Sequence, residues 1–375
     1  MQDETRDLLP EGLEDRLPQA TAAATRVTRA IMDVMDAHGY DRVQPPGIEF
    51  EASLASRMTG IKTQRMFRFV DPASLRTLAL RSDITPQVGR IAATRMAGRA
   101  RPLRLCYAGQ VTTIKGDGLD PTRERLQVGA ELIGTDAVAA AAEVVAVAIE
   151  ALDKAGAQGI SVDFTLPDLV GELAAGPWPL SREQADAVAQ ALDAKDAGAL
   201  VEAGGAAYLP LLYATGPLEA AIDRLAALDL GDLLAGRIAA LRAIAARVAG
   251  KARLTLDPTE RHGFEYQSWF GFQVFAQGVR GAVARGGTYT ILGASASREP
   301  ATGFSLYPDP LIDAIAEGEG LRDLLFLPLG HDSAIAERLR AVGWRTLAAL
   351  GEGDDPRALG ATHWLAGAEV KPLEA

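Results

Sequence analysis

The side chains that usually carry catalysis or metal binding are sparse in this chain. There are four histidines, His38, His262, His331 and His363, and one cysteine, Cys106. The histidines are scattered, with no HExxH spacing, and suggest no metal site. A single cysteine excludes disulfide scaffolds and Cys-based zinc sites, and its place in the apolar run LRLCYAG reads as a buried core thiol. Phosphate-cradling loops are missing, because no GxxxxGK[ST] occurs and no GxGxxG lies between a strand and a helix. The GDG at Gly116 to Gly118 reads as a turn. Polar residues inside strand-like segments remain. Gln127 and Glu131 stand four apart in RERLQVGAE, so on a strand both side chains point to one face.

The elements that must position such residues are legible as patterns. Val27, Ile31, Val34, Met35 and His38 recur at helical spacing, and Gly39 stops that helix. YDRVQPPGIEF reads as a short strand broken by Pro45 and Pro46. MFRFV and TLALR around DPAS form a hairpin signal. A helix is expected from Asp83 to Arg99, with Thr85 and Pro86 at its start. LRLCYAGQVT and ERLQVGAELIG read as strands around a turn-rich loop, and an Ala/Val-rich helix runs from Asp136 to Lys154 with Thr135 or Asp136 as its cap. GISVDFTL is another strand. From Pro167 to about Gly250 the chain is rich in Ala and Leu and reads as several short helices. Strand character returns at ARLTLD and continues through FEYQSWFGFQVFA and GAVARGG, before a helix near DPLIDAIAEG. The tail reads strand, helix, strand, short helix, strand.

The 375 residues, 48% hydrophobic and 23% charged, suit one large domain plus one or two smaller ones. Net charge is −11 and Lys/Arg-rich runs are absent, so a phosphate backbone finds little to displace its counterions. No nucleic-acid partner is expected. The N-terminal MQDETRDLLPEG is acidic and has no apolar stretch of the signal-peptide kind. No apolar run reaches the roughly 18 residues of a membrane helix. No membrane association is expected, and the expected location is the cytoplasm.

Seven segments in order carry a more specific message: LLPEG, GYDRVQPPGIEF, MFRF with LALRSDITPQVGR, YAGQVTT with RERLQVGAELIG, RHGFEYQSWFGF, ARGGTYT and ATGFSL. Their order and spacing resemble the catalytic core of histidyl-tRNA synthetase through its class II motifs, over residues 8–165 and 252–310. The resemblance implies an α+β fold: a class II aminoacyl-tRNA synthetase-like antiparallel sheet flanked by helices, with a helical insertion and a small C-terminal α/β module. The implied boundaries are 1–165 and 251–318 for the two parts of the core, 166–250 for the insertion and 319–375 for the module. It also implies dimerisation through the helix at Ala22 to His38 plus its proline-broken strand.

The resemblance maps an amino-acid pocket onto named residues. RSDIT puts Asp83 at the acidic position and Thr85 at the hydroxyl position beside the ligand's ammonium. RERLQVGAE puts Gln127 and Glu131 on amino-acid-binding positions, GGTYT puts Tyr289 against the imidazole, and FEY puts Tyr266 in the histidine-specific loop. Two carboxylates and an amide at one spot suit an ammonium and an imidazole N–H. Taken singly, the carboxylates would read as surface residues and the tyrosines as core. The departures are as telling. Thr113 stands where a synthetase grips the α-phosphate with arginine, Pro310 where another arginine stacks on adenine, and His262 where a third pairs with the substrate carboxylate. Neither Thr nor Pro imitates a guanidinium's fixed charge and planar fork, and losing such charge clamps costs orders of magnitude in rate. Arg123 is the other candidate for the carboxylate. A synthetase carries a full anticodon-binding domain after its third motif, whereas residues 311–375 are expected to make only a cut-down α/β module.

A histidine pocket without adenylation chemistry resembles the regulatory subunits of ATP phosphoribosyltransferase. That family implies a non-catalytic chain without a cofactor, self-associated as a dimer within a hetero-octamer. Its partner would be a short-form catalytic subunit, which it activates and through which it mediates feedback inhibition by histidine in the first step of histidine biosynthesis. The alternatives are an atypical histidyl-tRNA synthetase, another synthetase-derived protein that senses tRNA or modifies proteins, and a scaffold with a vestigial pocket.

Overall fold

The apolar stripe near the N-terminus folds as α1 (Pro18–Ala37), burying Ala23, Val27, Ile31, Val34 and Met35. In this computed structural model, residues 8–58, 63–116, 120–228, 230, 232–261, 267–293, 297–318 and 322–373 are described. The proline-broken strand becomes β1 (Asp41–Arg42) and β2 (Ile48–Phe50), followed by α2 (Glu51–Ala55). The hairpin forms as β3 (Arg68–Val70) and β4 (Thr77–Leu80), and β2 completes a three-stranded sheet. Then come α3 (Thr85–Thr94), β5 (Leu103–Thr112), β6 (Glu124–Ile133), α4 (Val138–Lys154) and β7 (Ser161–Thr165). The helical segment holds α5 (Leu169–Ala175), α6 (Arg182–Asp193), α7 (Ala197–Glu202), α8 (Leu209–Tyr213), a two-residue β8 (Gly216–Pro217), α9 (Leu218–Ala226) and α10 (Asp232–Arg247). The chain returns to the sheet as β9 (Arg253–Leu256), β10 (Gly271–Phe275), β11 (Ala284–Leu292) and β12 (Arg298–Leu306), then enters α11 (Asp309–Gly318).

One nine-stranded sheet runs β1-β5-β6-β12-β11-β10-β7-β9-β8. From β5 to β7 each neighbour is antiparallel, while β1 pairs with β5 and β7 with β9 in parallel. The fold class is therefore the α+β, class II-like arrangement that the motif order implies. Strand parity divides this sheet into two environments. Cys106, Val128, Ala130, Leu132, Phe272, Val274, Phe304 and Leu306 join the main core with α1 and α4. Ala and Val dominate the buried face of α4, so the helix lies close on the strands, and each buried Val contributes about 1.5–3 kcal/mol. The insertion's Val188, Leu192, Leu211, Ile222 and Ile244 extend the same core. On the opposite face Leu105, Tyr107, Tyr289, Ile291 and Ala301 meet Ile84, Val88 and Ala92 of the α3 region. That second face carries the polar residues of interest.

Several local expectations need correction. The helix expected over Asp83 to Arg99 is only Thr85–Thr94, because Asp83 stays outside it and accepts the Thr85 N–H (3.0 Å). The N-cap of α4 is Ala137, without a side-chain bond, since Thr135 spends its oxygen on the Ala137 N–H (3.2 Å). Cys106 is buried as expected, and burial pushes its thiol up to about 11.

The chain divides into two compact units, residues 1–316 and 317–375. The second holds β13 (Leu324–Leu327), α12 (Ser333–Ala341), β14 (Arg345–Ala348), β15 (His363–Ala366) and β16 (Glu369–Pro372). Its sheet runs β14-β13-β15-β16 over a core of Leu325, Leu327, Ala336 and Leu365. Residues 349–362 are turns and not the expected short helix; Gly351, Gly353, Pro356 and Gly360 oppose helix continuation there. The final strand β16 goes beyond the expected pattern, turning back at Gly367 with φ +64°.

Candidate functional site

The site is built on the α3-side face of the sheet, where β6, β12 and β11 present alternate residues. Register sets Glu131 of β6 opposite Gly303 of β12, and Gly303 opposite Gly287 of β11. Tyr107 of β5 lies opposite Gly129, between Gln127 and Glu131. The missing side chains at these glycines are what make room. A Cβ on Gly303 would lie 1.7 Å from the Glu131 Oε2, and one on Gly129 would lie 2.4 Å from the Tyr107 hydroxyl.

Glu131 is buried, 1% exposed, inside a ring of hydroxyls. Thr85 Oγ1 donates to its Oε1 at 2.9 Å, Tyr107 OH to the same oxygen at 3.1 Å, and Tyr289 OH to Oε2 at 2.6 Å. Burial pushes the Glu131 carboxyl up to about 8, with the charge of Asp83 adding to the rise, against the pull of the three hydroxyl donors. Beside it lies a second polar group. Gln127 donates through Nε2 to Asp83 Oδ1 and to Ser305 Oγ, both at 2.8 Å, and its Oε1 accepts the Ile84 N–H at 2.8 Å. Ser305 Oγ also lies 3.0 Å from the Tyr107 hydroxyl. One hydrogen-bonded network thus links Glu131 to Asp83. It edges a cleft of about 190 Å³ lined by Asp83, Thr85, Glu131, Tyr289, Ser305 and four arginines.

Of the residues expected from the sequence, Asp83, Thr85, Gln127, Glu131 and Tyr289 come together here. Arg123 lines the same cleft, but its guanidinium lies over the Phe67 ring (4.9 Å to the centroid) and its Nη1 donates to the Glu11 carbonyl at 3.0 Å. His262 and Tyr266 lie outside the described residues. Tyr107 and Ser305 are members that sequence reasoning missed. The signal that could have found them is hairpin register: Tyr107 and Gln127 share one sheet face once Gly109 is set opposite Gln127.

Comparison with known proteins gives this geometry a family. The family model described as histidyl-tRNA synthetase matches residues 12–311. A solved ATP phosphoribosyltransferase regulatory subunit/histidyl-tRNA synthetase from Bacillus halodurans C shares the fold with TM-score 0.81 at 22% identity, covering 96% of this chain and 97% of that one. A solved histidyl-tRNA synthetase from Nostoc sp. PCC 7120 does so with TM-score 0.78 at 15% identity, covering 96% and 91%. The ATP phosphoribosyltransferase regulatory subunit of Paramagnetospirillum magneticum is 42% identical over 94% of this chain and 93% of its own length, and that of Rhodospirillum centenum is 41% identical over 98% and 96%. The chain belongs to the ATP phosphoribosyltransferase regulatory subunit family.

The structure also places the two positions, Thr113 and Pro310, at which the motif order leads one to expect a synthetase's arginines. Thr113 lines the cleft and its hydroxyl donates to the Lys115 carbonyl at 2.9 Å, so it brings no charge to a phosphate. Pro310 sits in the first turn of α11, where it has no donor to offer. Arg125 is paired with Asp120 at 2.6 Å. Among the described residues no group of three His, Cys, Asp or Glu is placed to hold a metal ion, and no helix is long and apolar enough to cross a membrane.

Proposed function

We propose that this cleft binds free histidine and that the chain, itself non-catalytic, reports that binding to a short-form ATP phosphoribosyltransferase catalytic subunit, which it activates in histidine's absence. The observation that carries the reading is the buried Glu131 carboxyl, ringed by Thr85, Tyr107 and Tyr289 and joined through Gln127 to Asp83. Glu131 and Tyr289 take the imidazole, since an imidazole N–H needs an acceptor and a flat wall. Asp83, Thr85 and Gln127 take the ammonium, which needs acceptors only. His262, Tyr266 and Arg123 are further candidates for histidine binding from the motif order. The assembly is a dimer of this chain within a hetero-octamer, in the cytoplasm.

Histidine inhibits only if it binds the less active assembly more tightly than the active one, by a ratio at least as large as the shift it causes in the equilibrium between them. The test is phosphoribosyl transfer to ATP by the catalytic subunit of the same organism, with and without this chain, then with histidine. A rate that rises with the chain and falls with histidine supports the reading. A rate indifferent to the chain sinks it, and histidine-dependent pyrophosphate exchange by the chain alone would make it a synthetase instead.

A further inference from the structure

An amino acid held by its imidazole and its ammonium still has a carboxylate, and a buried or half-buried carboxylate needs a cation or several N–H donors. Four guanidinium groups line the cleft: Arg65, Arg123, Arg125 and Arg285. Three are committed. Arg123 lies over Phe67 and donates to the Glu11 carbonyl, Arg125 is paired with Asp120, and Arg65 has an interaction of its own. Arg285 differs. It is half-buried on β11, and among the described residues it makes no hydrogen bond or ion pair.

The position of Arg285 in the sheet is fixed by register. It lies directly opposite Ser305 of β12, whose hydroxyl accepts from Gln127. It stands four residues before Tyr289 on the same strand, so both side chains leave the same face, with Gly287 between them. Glu131 is two strands away and one pair of residues along, so the Arg285 backbone stands about 12 Å from that of Glu131, from strand spacing and rise. Arg285 and Glu131 both line the cleft between them. Among the described residues this partly buried guanidinium has no carboxylate or hydrogen-bond acceptor, so an anion entering the cleft would find its charge and its donors unspent.

We infer that Arg285 is the receptor for the carboxylate of the amino acid bound in this cleft, taking it as a bidentate pair while Glu131 and Tyr289 hold the side chain. Specificity for a free amino acid, over an amide or a peptide, then resides in one residue of β11. The inference rests on the histidine reading above, and it goes beyond it in naming the group that reads the carboxylate.

The experiment is titration calorimetry on the full chain with L-histidine and L-histidinamide, for the wild type, Arg285→Ala and Arg285→Lys. The wild type should prefer histidine. Arg285→Ala should lose about 10- to 100-fold in histidine affinity, the range for a charge-assisted pair. It should leave histidinamide within about threefold, so that the preference disappears. Arg285→Lys should keep part of the preference, because it keeps the charge and loses the fork. Chemical denaturation of each variant separates loss of the fold from loss of the contact. If Arg285→Ala weakens both ligands alike, or leaves the preference intact in a chain that binds histidine, the carboxylate goes elsewhere and this inference is overturned while the histidine reading stands. If the wild type binds no histidine in any state, both fall.

Discussion

The two ends of the cleft are built on different terms. At the Glu131 end every polar group is matched: three hydroxyls converge on one buried carboxyl, and glycines on β6 and β12 clear the space. At the Thr113 end the charges are spent elsewhere, with Arg125 on Asp120, Arg123 on Phe67 and Glu11, and Thr113 on the Lys115 carbonyl. A closed network of this kind is high in stakes, since removing one member strands the others in a low-dielectric site. Partly exposed charges paired with their own chain cost little to lose. The contrast teaches that position along a strand decides what a side chain does: β6 carries Gln127 and Glu131 into the matched network and, two residues before Gln127, Arg125 to its pair with Asp120.

The sharpest way to break that contrast is Glu131→Ala. It removes the acceptor shared by the Thr85, Tyr107 and Tyr289 hydroxyls and with it the proposed partner of the imidazole N–H, and should weaken histidine binding by about 10- to 100-fold, the range for a hydrogen bond to a carboxylate. Sedimentation should find assembly with the catalytic subunit intact; lost assembly would make Glu131 a structural residue. Gly303→Ala should come next, because the new Cβ would meet the Glu131 Oε2 at 1.7 Å. Overpacking should cost about 1–3 kcal/mol of stability, read by denaturant unfolding, and histidine affinity should fall with it.

A pH series sharpens the same point. The Glu131 carboxyl sits at about 8 in the fold, against about 4.5 for the ordinary residue. Between those values the folded chain holds a proton that the unfolded chain has released, so its contribution is full below about 4.5 and is lost as pH rises through about 8. Unfolding measured at pH 6 and pH 8.5 should therefore show the wild type losing more stability than Glu131→Gln over that interval; equal losses would contradict the raised value. The smallest effect belongs to the other end. Asp120→Ala removes a partly exposed ion pair with Arg125, and stability should change by no more than about 1 kcal/mol with histidine affinity unaltered. A large loss of affinity would show that the two ends are coupled.

Much of this was legible in the residues themselves. Parity alone places Gln127 and Glu131 on one face, and motif order links Asp83, Thr85 and Tyr289 to them. Tyr107 and Ser305 were not legible, because their roles depend on which residues lie opposite across three strands, and nothing local announces a register. Arg285 was hidden for the same reason: GAVARGG reads only as a strand, and the place of Arg285 in the site comes from Ser305 across the strand pair. The shortening of α3 and the turn-rich stretch at 349–362 show the opposite failure, where helical composition ran past the point at which a side-chain acceptor or a glycine stopped it.

The most direct test of the whole account is the rate of phosphoribosyl transfer by the assembled complex, with the wild-type chain or with Glu131→Ala, across a histidine series. The account predicts that both chains stimulate the catalytic subunit equally and that histidine slows only the wild-type complex. Equal inhibition of the two complexes would contradict it, and would place the effector site outside this cleft.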